Sequence, residues 1–297
     1  MRKYISILVF ISLLIPVISL CQYQEIQINT FSSRLSNPLK IEVSENDRGT
    51  LDFTVKNDSW FTYHVELKFS VLENLSPATE SSKDVVLPGK KTLFRLKVID
   101  AKSLHNYSYN FSYGIGDPNK NADEDFQYLI PLSGGKTIKL LELKNNTNAV
   151  FFRNVFYLNN GDTILCMRKG TVTSTSNNTF NQNDRIDKNS TVEILHTDGT
   201  IATYNFPEDK KVLVVPGQQV YPLQPIVVSQ HSGEVSISLF KLQKNNMLKS
   251  FDFKYEGDST NDAFSNGSIV KHLSSNIEKE LTKKEKKRLA NGTLYEK

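Results

Sequence analysis

Residues 196–240, HTDGTIATYNFPEDKKVLVVPGQQVYPLQPIVVSQHSGEVSISLF, decide the fold. Apolar β-forming runs alternate here with tight Gly and Pro turns. Residues 212–215 read as a buried strand, Gly217 breaks the chain, 219–221 begin a short strand and 225–229 begin another. The phrase Pro216-Gly217-Gln218-x-Val220, followed by Leu223-Gln224-Pro225-Ile226, punctuates them. The stretch is a compact all-β element.

Upstream, short alternating or apolar runs at 26–28, 39–43, 50–55, 61–71, 85–87 and 92–98 are separated by turns such as Asn46-Asp47-Arg48-Gly49 and Pro88-Gly89-Lys90. Their spacing predicts an immunoglobulin-like β-sandwich over 22–132, with Trp60 and His64 as core or strand-end residues. Within it, residues 107–132 read as a bridge whose Tyr107, Tyr109, Phe111 and Tyr113 alternate with Asn and Ser, an aromatic face that packs on the sandwich. Asp123-Glu124-Asp125 is an acidic loop whose spacing matches no calcium site. A polar insertion, 174–190, reads as a hairpin tip. Residues 246–297 read as a linker and then a charged helix over 274–290, with Ile277, Leu281 and Leu289 as a sparse apolar stripe.

The central stretch resembles the C-terminal half of the catalytic domain of lysostaphin-type zinc metallopeptidases, which cleave peptidoglycan peptides on a duplicated hybrid-motif β fold. The family's H-x-D-G-T-x-x-x-Y segment is matched by His196, Asp198, Gly199, Thr200 and Tyr204, and its P-G-Q-x-V run by Pro216, Gly217, Gln218 and Val220, with Gln224, Ile226 and Gly233 in register beyond. Gly116-Asp117-Pro118 through Asp123, Asp125, Tyr128 and Pro131-Leu132 looks like the segment that leads into the peptidase domain in members from Gram-negative bacteria. The resemblance implies a mostly β chain: the sandwich, then a hybrid-motif sheet or barrel-like peptidase-type domain over 133–245, then a short C-terminal helix.

The chemistry departs from that pattern. A catalytic zinc takes about three His or carboxylate ligands and keeps one position for water. The H-x-H pair of the family aligns with Ser236 and Ser238, its further catalytic histidine with Phe206, and its Asp ligand with Val155 when Asn160-Gly161-Asp162 and Gly170-Thr171-Val172 are taken as the N-terminal half of the motif. No histidine lies between His105 and His196 to supply the first ligand. The expected site is therefore empty of function: no catalytic residue, no cofactor, no metal. His196 and His231 read as ordinary surface or turn histidines, and a rearranged site using them with Asp198 is the alternative. Cys166 reads as a small buried hydrophobe rather than a nucleophile.

Residues 1–21, MRKYISILVFISLLIPVISLC, read as a secretory signal with cleavage after Cys21, since Leu20 is poor for a lipidation site at that cysteine. The expected location is exported, periplasmic or extracellular, in a Gram-negative bacterium. Lys and Arg total 36 against 32 Asp and Glu, but Arg2 and Lys3 fall in the leader and the rest of the excess sits near the end, which argues against a nucleic-acid partner. No later run is long and apolar enough to span a bilayer. The expectation is a secreted pseudo-peptidase that binds peptidoglycan or an envelope protein, with an active zinc endopeptidase using rearranged ligands, or a structural or adhesive envelope protein, as alternatives.

Overall fold

The computed structural model describes residues 24–28, 38–140, 154–182, 185–207, 210–257 and 265–296, giving the backbone alone at 24–28, 176–182 and 185–189. The leader and Cys21 lie outside the described residues.

The N-terminal strands are β1 (Gln24–Ile28), β2 (Leu39–Glu45), β3 (Thr50–Asn57), β4 (Tyr63–Glu73), β5 (Leu75–Ser76), β6 (Ser81–Val86), β7 (Gly89–Val98) and β8 (Asn106–Ile115). They make two four-stranded sheets, β1-β8-β4-β6 and β2-β3-β7-β5. Alternation builds them: along β3, Leu51, Phe53, Val55 and Asn57 are buried while the residues between them are half exposed. Phe53 meets the edges of Phe69, Tyr107 and Tyr109 at 5.3 to 5.6 Å between ring centres, contacts worth about 0.5–1.5 kcal/mol each beyond area burial.

Two expectations need correcting here. The aromatic run is no bridge, because β8 pairs with β4 over its length and lies inside the sandwich sheet. Trp60 is not core: it is 83% exposed, while its neighbour Phe61 is 7% exposed. The turn explains it, since the Asn57 amide donates to the Phe61 carbonyl and the Ser59 hydroxyl accepts from the Phe61 N–H, aiming Phe61 inward and the preceding side chain out. His64 is buried as expected and hydrogen-bonds Asn246.

The second half contains β9 (Gln127–Tyr128), β10 (Asn154–Leu158), β11 (Thr163–Leu165), β12 (Gly170–Gln182), β13 (Arg185–Leu195), β14 (Thr200–Pro207), β15 (Lys210–Val212), β16 (Gln219–Val220), β17 (Pro225–Ser229), β18 (Gly233–Leu242), β19 (Leu248–Phe251) and β20 (Lys254–Tyr255). A seven-stranded sheet runs β10-β18-β14-β13-β12-β16, with β19 on the far end of β18. The three-stranded sheet β11-β17-β15 shares its apolar core, which gathers Phe156, Val192, Tyr204, Ile237 and Leu239 with Ile164, Ile226 and Val227. The polar insertion continues the β12–β13 hairpin, paired out to Gln182 and Arg185.

Phe126, Tyr128, Ile130 and Leu132, on the sandwich side of the expected boundary at 132, belong to this second core. The stretch read as linker contributes β19 and β20, the latter pairing in parallel with β9. The expected single helix is two, α1 (Ser274–Glu278) and α2 (Lys283–Ala290). Thr282 divides them. Its hydroxyl accepts from the Glu285 N–H at 3.3 Å and the Glu285 carboxylate accepts from the Thr282 N–H at 2.7 Å, a capping box that starts a helix rather than continuing one. Among the described residues no helix is long and apolar enough to cross a membrane.

Candidate functional site

The two phrases that carried the resemblance build two turns on neighbouring edges of the second core. Gly217, at φ +84°, lets the 215–218 turn close, and its N–H donates to the Val172 carbonyl while the Val172 N–H donates to Gln218. That clamp ties the Pro-Gly-Gln turn to residues 170–172. Gly170 is required there, because a Cβ would stand 2.7 Å from the Leu195 carbonyl oxygen and 2.6 Å from Ile194.

The other turn, 196–200, is held by Asp198. Its carboxylate accepts from the Thr200 N–H and hydroxyl at 3.1 and 2.7 Å, from the Asp123 N–H at 3.1 Å and from the Arg168 guanidinium at 2.8 Å. The segment beginning at Gly116 crosses this turn, with the Lys120 ammonium donating to the Thr197 carbonyl at 2.9 Å. The upstream and central phrases thus meet in space.

Arg168 is the hub of this cluster and sequence reading missed it. It is 3% exposed, grips Glu280 with two hydrogen bonds at 2.9 and 2.7 Å, donates to the Tyr128 hydroxyl, and stacks 3.7 Å from the Phe126 ring centre. Beside it, Lys169 pairs with Glu285 at 2.8 Å. The segment bearing α1 and α2 is thereby clasped to the sheet. A sequence signal existed: two adjacent cations follow the apolar run 163–167 and directly precede Gly170.

His196 is not a surface residue. It is 1% exposed, with Nδ1 donating to the Lys169 carbonyl at 2.9 Å and Nε2 buried without a partner among the described residues. Burial, reinforced by the Arg168 charge, pushes its pKa down to about 4 and keeps the ring neutral. Burial works the other way on Asp198, but Arg168 and the Thr200 donors win and hold it at about 2. His231 is exposed, as expected, in the turn before β18. The 196–200 turn adjoins Lys241 at one end of β18, whereas His231 adjoins Gly233 at the other. Eight residues of strand separate those ends, roughly 25 Å, so the two histidines and Asp198 do not form one site.

Of the four positions aligned with ligands and catalytic groups, three share a face of the sheet and the fourth lies on the other. Val155 pairs with Ser236, and Ser236 with Asn205; Ser238 pairs with Thr203. Directly opposed residues share a face, so Val155, Ser236 and Ser238 lie on one face of the seven-stranded sheet. Phe206 follows Ala202 and Tyr204 onto the other face and into the apolar core. On the first face, Glu193 pairs with Thr203, and burial pushes its carboxyl up to about 8. A catalytic zinc therefore does not fit these residues: hydroxyls, an isopropyl and a phenyl stand on opposite sides of a sheet, and among the described residues no group of three or more His, Cys, Asp or Glu is placed to hold a metal ion. Cys166 is fully buried, as expected. Its thiol donates to the Arg168 carbonyl, and burial pushes its pKa up to about 12, which removes it as a nucleophile.

No family model matches the chain, and no curated protein matches it. Among solved structures, the chain is similar to a peptidase M23 from Pseudomonas aeruginosa at 14% identity, with 65% of this chain and 85% of that one covered and a TM-score of 0.27. It is similar to Helicobacter pylori Csd3 at 13% identity, with 86% and 76% covered and a TM-score of 0.30. A zinc-containing peptidase from Vibrio cholerae matches at 10% identity, with 72% and 85% covered and a TM-score of 0.27.

Proposed function

We propose that this chain is an exported, non-catalytic relative of the lysostaphin-type peptidases that binds cell-wall peptide or regulates a wall hydrolase. The observation that carries the reading is the contrast between motif residues. Those that shape turns are present and work as scaffold: Asp198, Gly199 and Thr200 close one turn, and Gly217 and Gln218 close the other. At the ligand positions stand Val155, Ser236 and Ser238, which share one face of the sheet but offer an isopropyl and two hydroxyls, and at the catalytic-histidine position stands Phe206, on the other face. A fold kept without its ligands serves recognition rather than hydrolysis, although fold alone does not fix chemistry. In this reading the peptidase-like unit takes in the 126–132 segment, β19 and β20 as well as 133–245, and the segment bearing α1 and α2 straps back over it. The reading of residues 1–21 as a secretory signal supports work outside the cytoplasm.

The test is sedimentation of the full chain with insoluble sacculi, with and without added zinc. The expected result is a protein that pellets with the sacculi and releases no soluble fragments at any zinc concentration. Release of fragments that a chelator abolishes would overturn the non-catalytic part, and absence from the pellet would overturn the binding part.

A further inference from the structure

We propose that a cleft between the Pro-Gly-Gln turn and the C-terminal turn, with Trp60 at its rim, binds a neutral saccharide bearing acetamido groups, such as the glycan strand of the wall. The proposal rests on the wall-binding reading and names a ligand for it. The cleft holds about 260 Å³ and is lined on one side by residues 215–224 and on the other by 288–296.

Three features set the ligand class. The first is charge. Arg288 reaches the cleft, and its Nη2 donates to the carbonyls of Thr293, Leu294 and Glu296, at 2.8, 3.5 and 3.1 Å, which holds the terminal turn in shape. The cleft lining carries one cation, Arg288, and one acidic residue, Glu296, so it presents no net formal charge to a ligand.

The second is donors. Gln218, Gln219 and Gln224 line the cleft, and each has its amide oxygen engaged: by the Val215 N–H, the Tyr221 hydroxyl and the Tyr221 N–H, at 3.2, 3.1 and 3.1 Å. Fixed through their oxygens, the three carboxamides present N–H₂ groups that have no protein acceptor among the described residues. Such groups suit acetamido carbonyls, ring oxygens and hydroxyls.

The third is aromatic surface. Tyr221 and Tyr295 both line the cleft, and both hydroxyls are already used, by Gln219 and by the Pro222 carbonyl at 2.8 Å, so their rings are what remains to offer. Trp60 extends this surface from the sandwich. Its indole Cδ1 stands 3.5 Å from where a Gly217 side chain would begin, and it is 83% exposed; Val215, in the same turn as Gly217 and lining the cleft, is 57% exposed. An indole left in water at a rim of fixed amides is a platform for the C–H face of a sugar ring.

Trp60 is the chain's one tryptophan, so its emission reports on this site alone. The full chain is titrated with the β-1,4-linked trimer of N-acetylglucosamine and, in parallel, with the glucose trimer that lacks acetamido groups. A saturable change in emission with the first, and binding weaker by about tenfold or more with the second, are expected. By calorimetry, Trp60→Ala and Gln219→Ala each weaken the acetamido trimer by about tenfold or more. Both side chains are exposed, so the variants fold, which a thermal melt checks. No saturable change, or equal binding by both variants, overturns the proposal. If sacculus sedimentation persists in that case, the wall-binding reading survives and only the glycan assignment falls; if sedimentation is lost as well, both fall.

Discussion

The two cores of this molecule are closed by different means. The sandwich is sealed by apolar alternation and a cluster of aromatic edges around Phe53, with its charged pairs, such as Arg95–Asp52 and Lys90–Glu42, left at the surface. The second core is apolar too, but one rim is sealed by a buried guanidinium shared among Asp198, Glu280 and Tyr128. Exposed pairs contribute little, about 0–1 kcal/mol, whereas removing one partner of a buried pair strands the others. The sandwich therefore tolerates loss of charge, and the second domain does not.

The largest effect that sharpens this contrast is Arg168→Met, which leaves Asp198 and Glu280 without their cation and costs about 3–5 kcal/mol in denaturant unfolding. Arg95→Met in the sandwich is its counterpart, expected below about 1 kcal/mol. Equal costs for the two would break the comparison.

Next comes pH. In the unfolded chain His196 titrates near its ordinary value, while in the fold it stays neutral down to about 4. The unfolded state takes up the proton first, so stability falls as pH drops from about 6.5 towards 4, by roughly 3 kcal/mol. His272 acts with the opposite sign. Burial opposes its charge, but hydrogen bonds to the Glu256 carboxylate and the Leu132 carbonyl prevail and raise its pKa. Its contribution is complete below pH 6.5 and is lost as pH rises through the folded value. In His272→Gln the gain in stability as pH falls towards 6.5 disappears, while the loss below 6.5 due to His196 keeps its slope; a profile unchanged above pH 6.5 would contradict the assignment of signs.

The smallest effect is Thr282→Ala, which removes the capping box of α2 and costs about 1 kcal/mol. Because Glu285 also holds Lys169, hydrogen exchange quickens in residues 283–290 before it does anywhere in the sandwich.

The sandwich was legible in the sequence because one local rule, every second residue inward, produced strands such as β3. Turn chemistry was legible as well, since the positive φ of Gly217 and the Asp198 bonds to Thr200 are local features. The clasp was not, because Arg168 and Glu280 lie 112 residues apart and no local pattern marks two charges that meet only after the C-terminal segment docks. His196 was misread for the same reason: a residue at a turn is ordinarily solvated, and here the 116–128 segment and Lys169 bury it. Trp60 failed in reverse, being apolar but displaced outward by a turn whose hydrogen bonds favour Phe61.

The central claim, that the zinc chemistry of the resembled family is missing from this chain, is tested most directly by equilibrating the folded full-length protein with excess zinc, removing unbound metal and measuring the zinc that remains. The account predicts a content far below one ion per chain, unchanged in His196→Ala. A stoichiometric ion lost on changing His196 or His231 would contradict it.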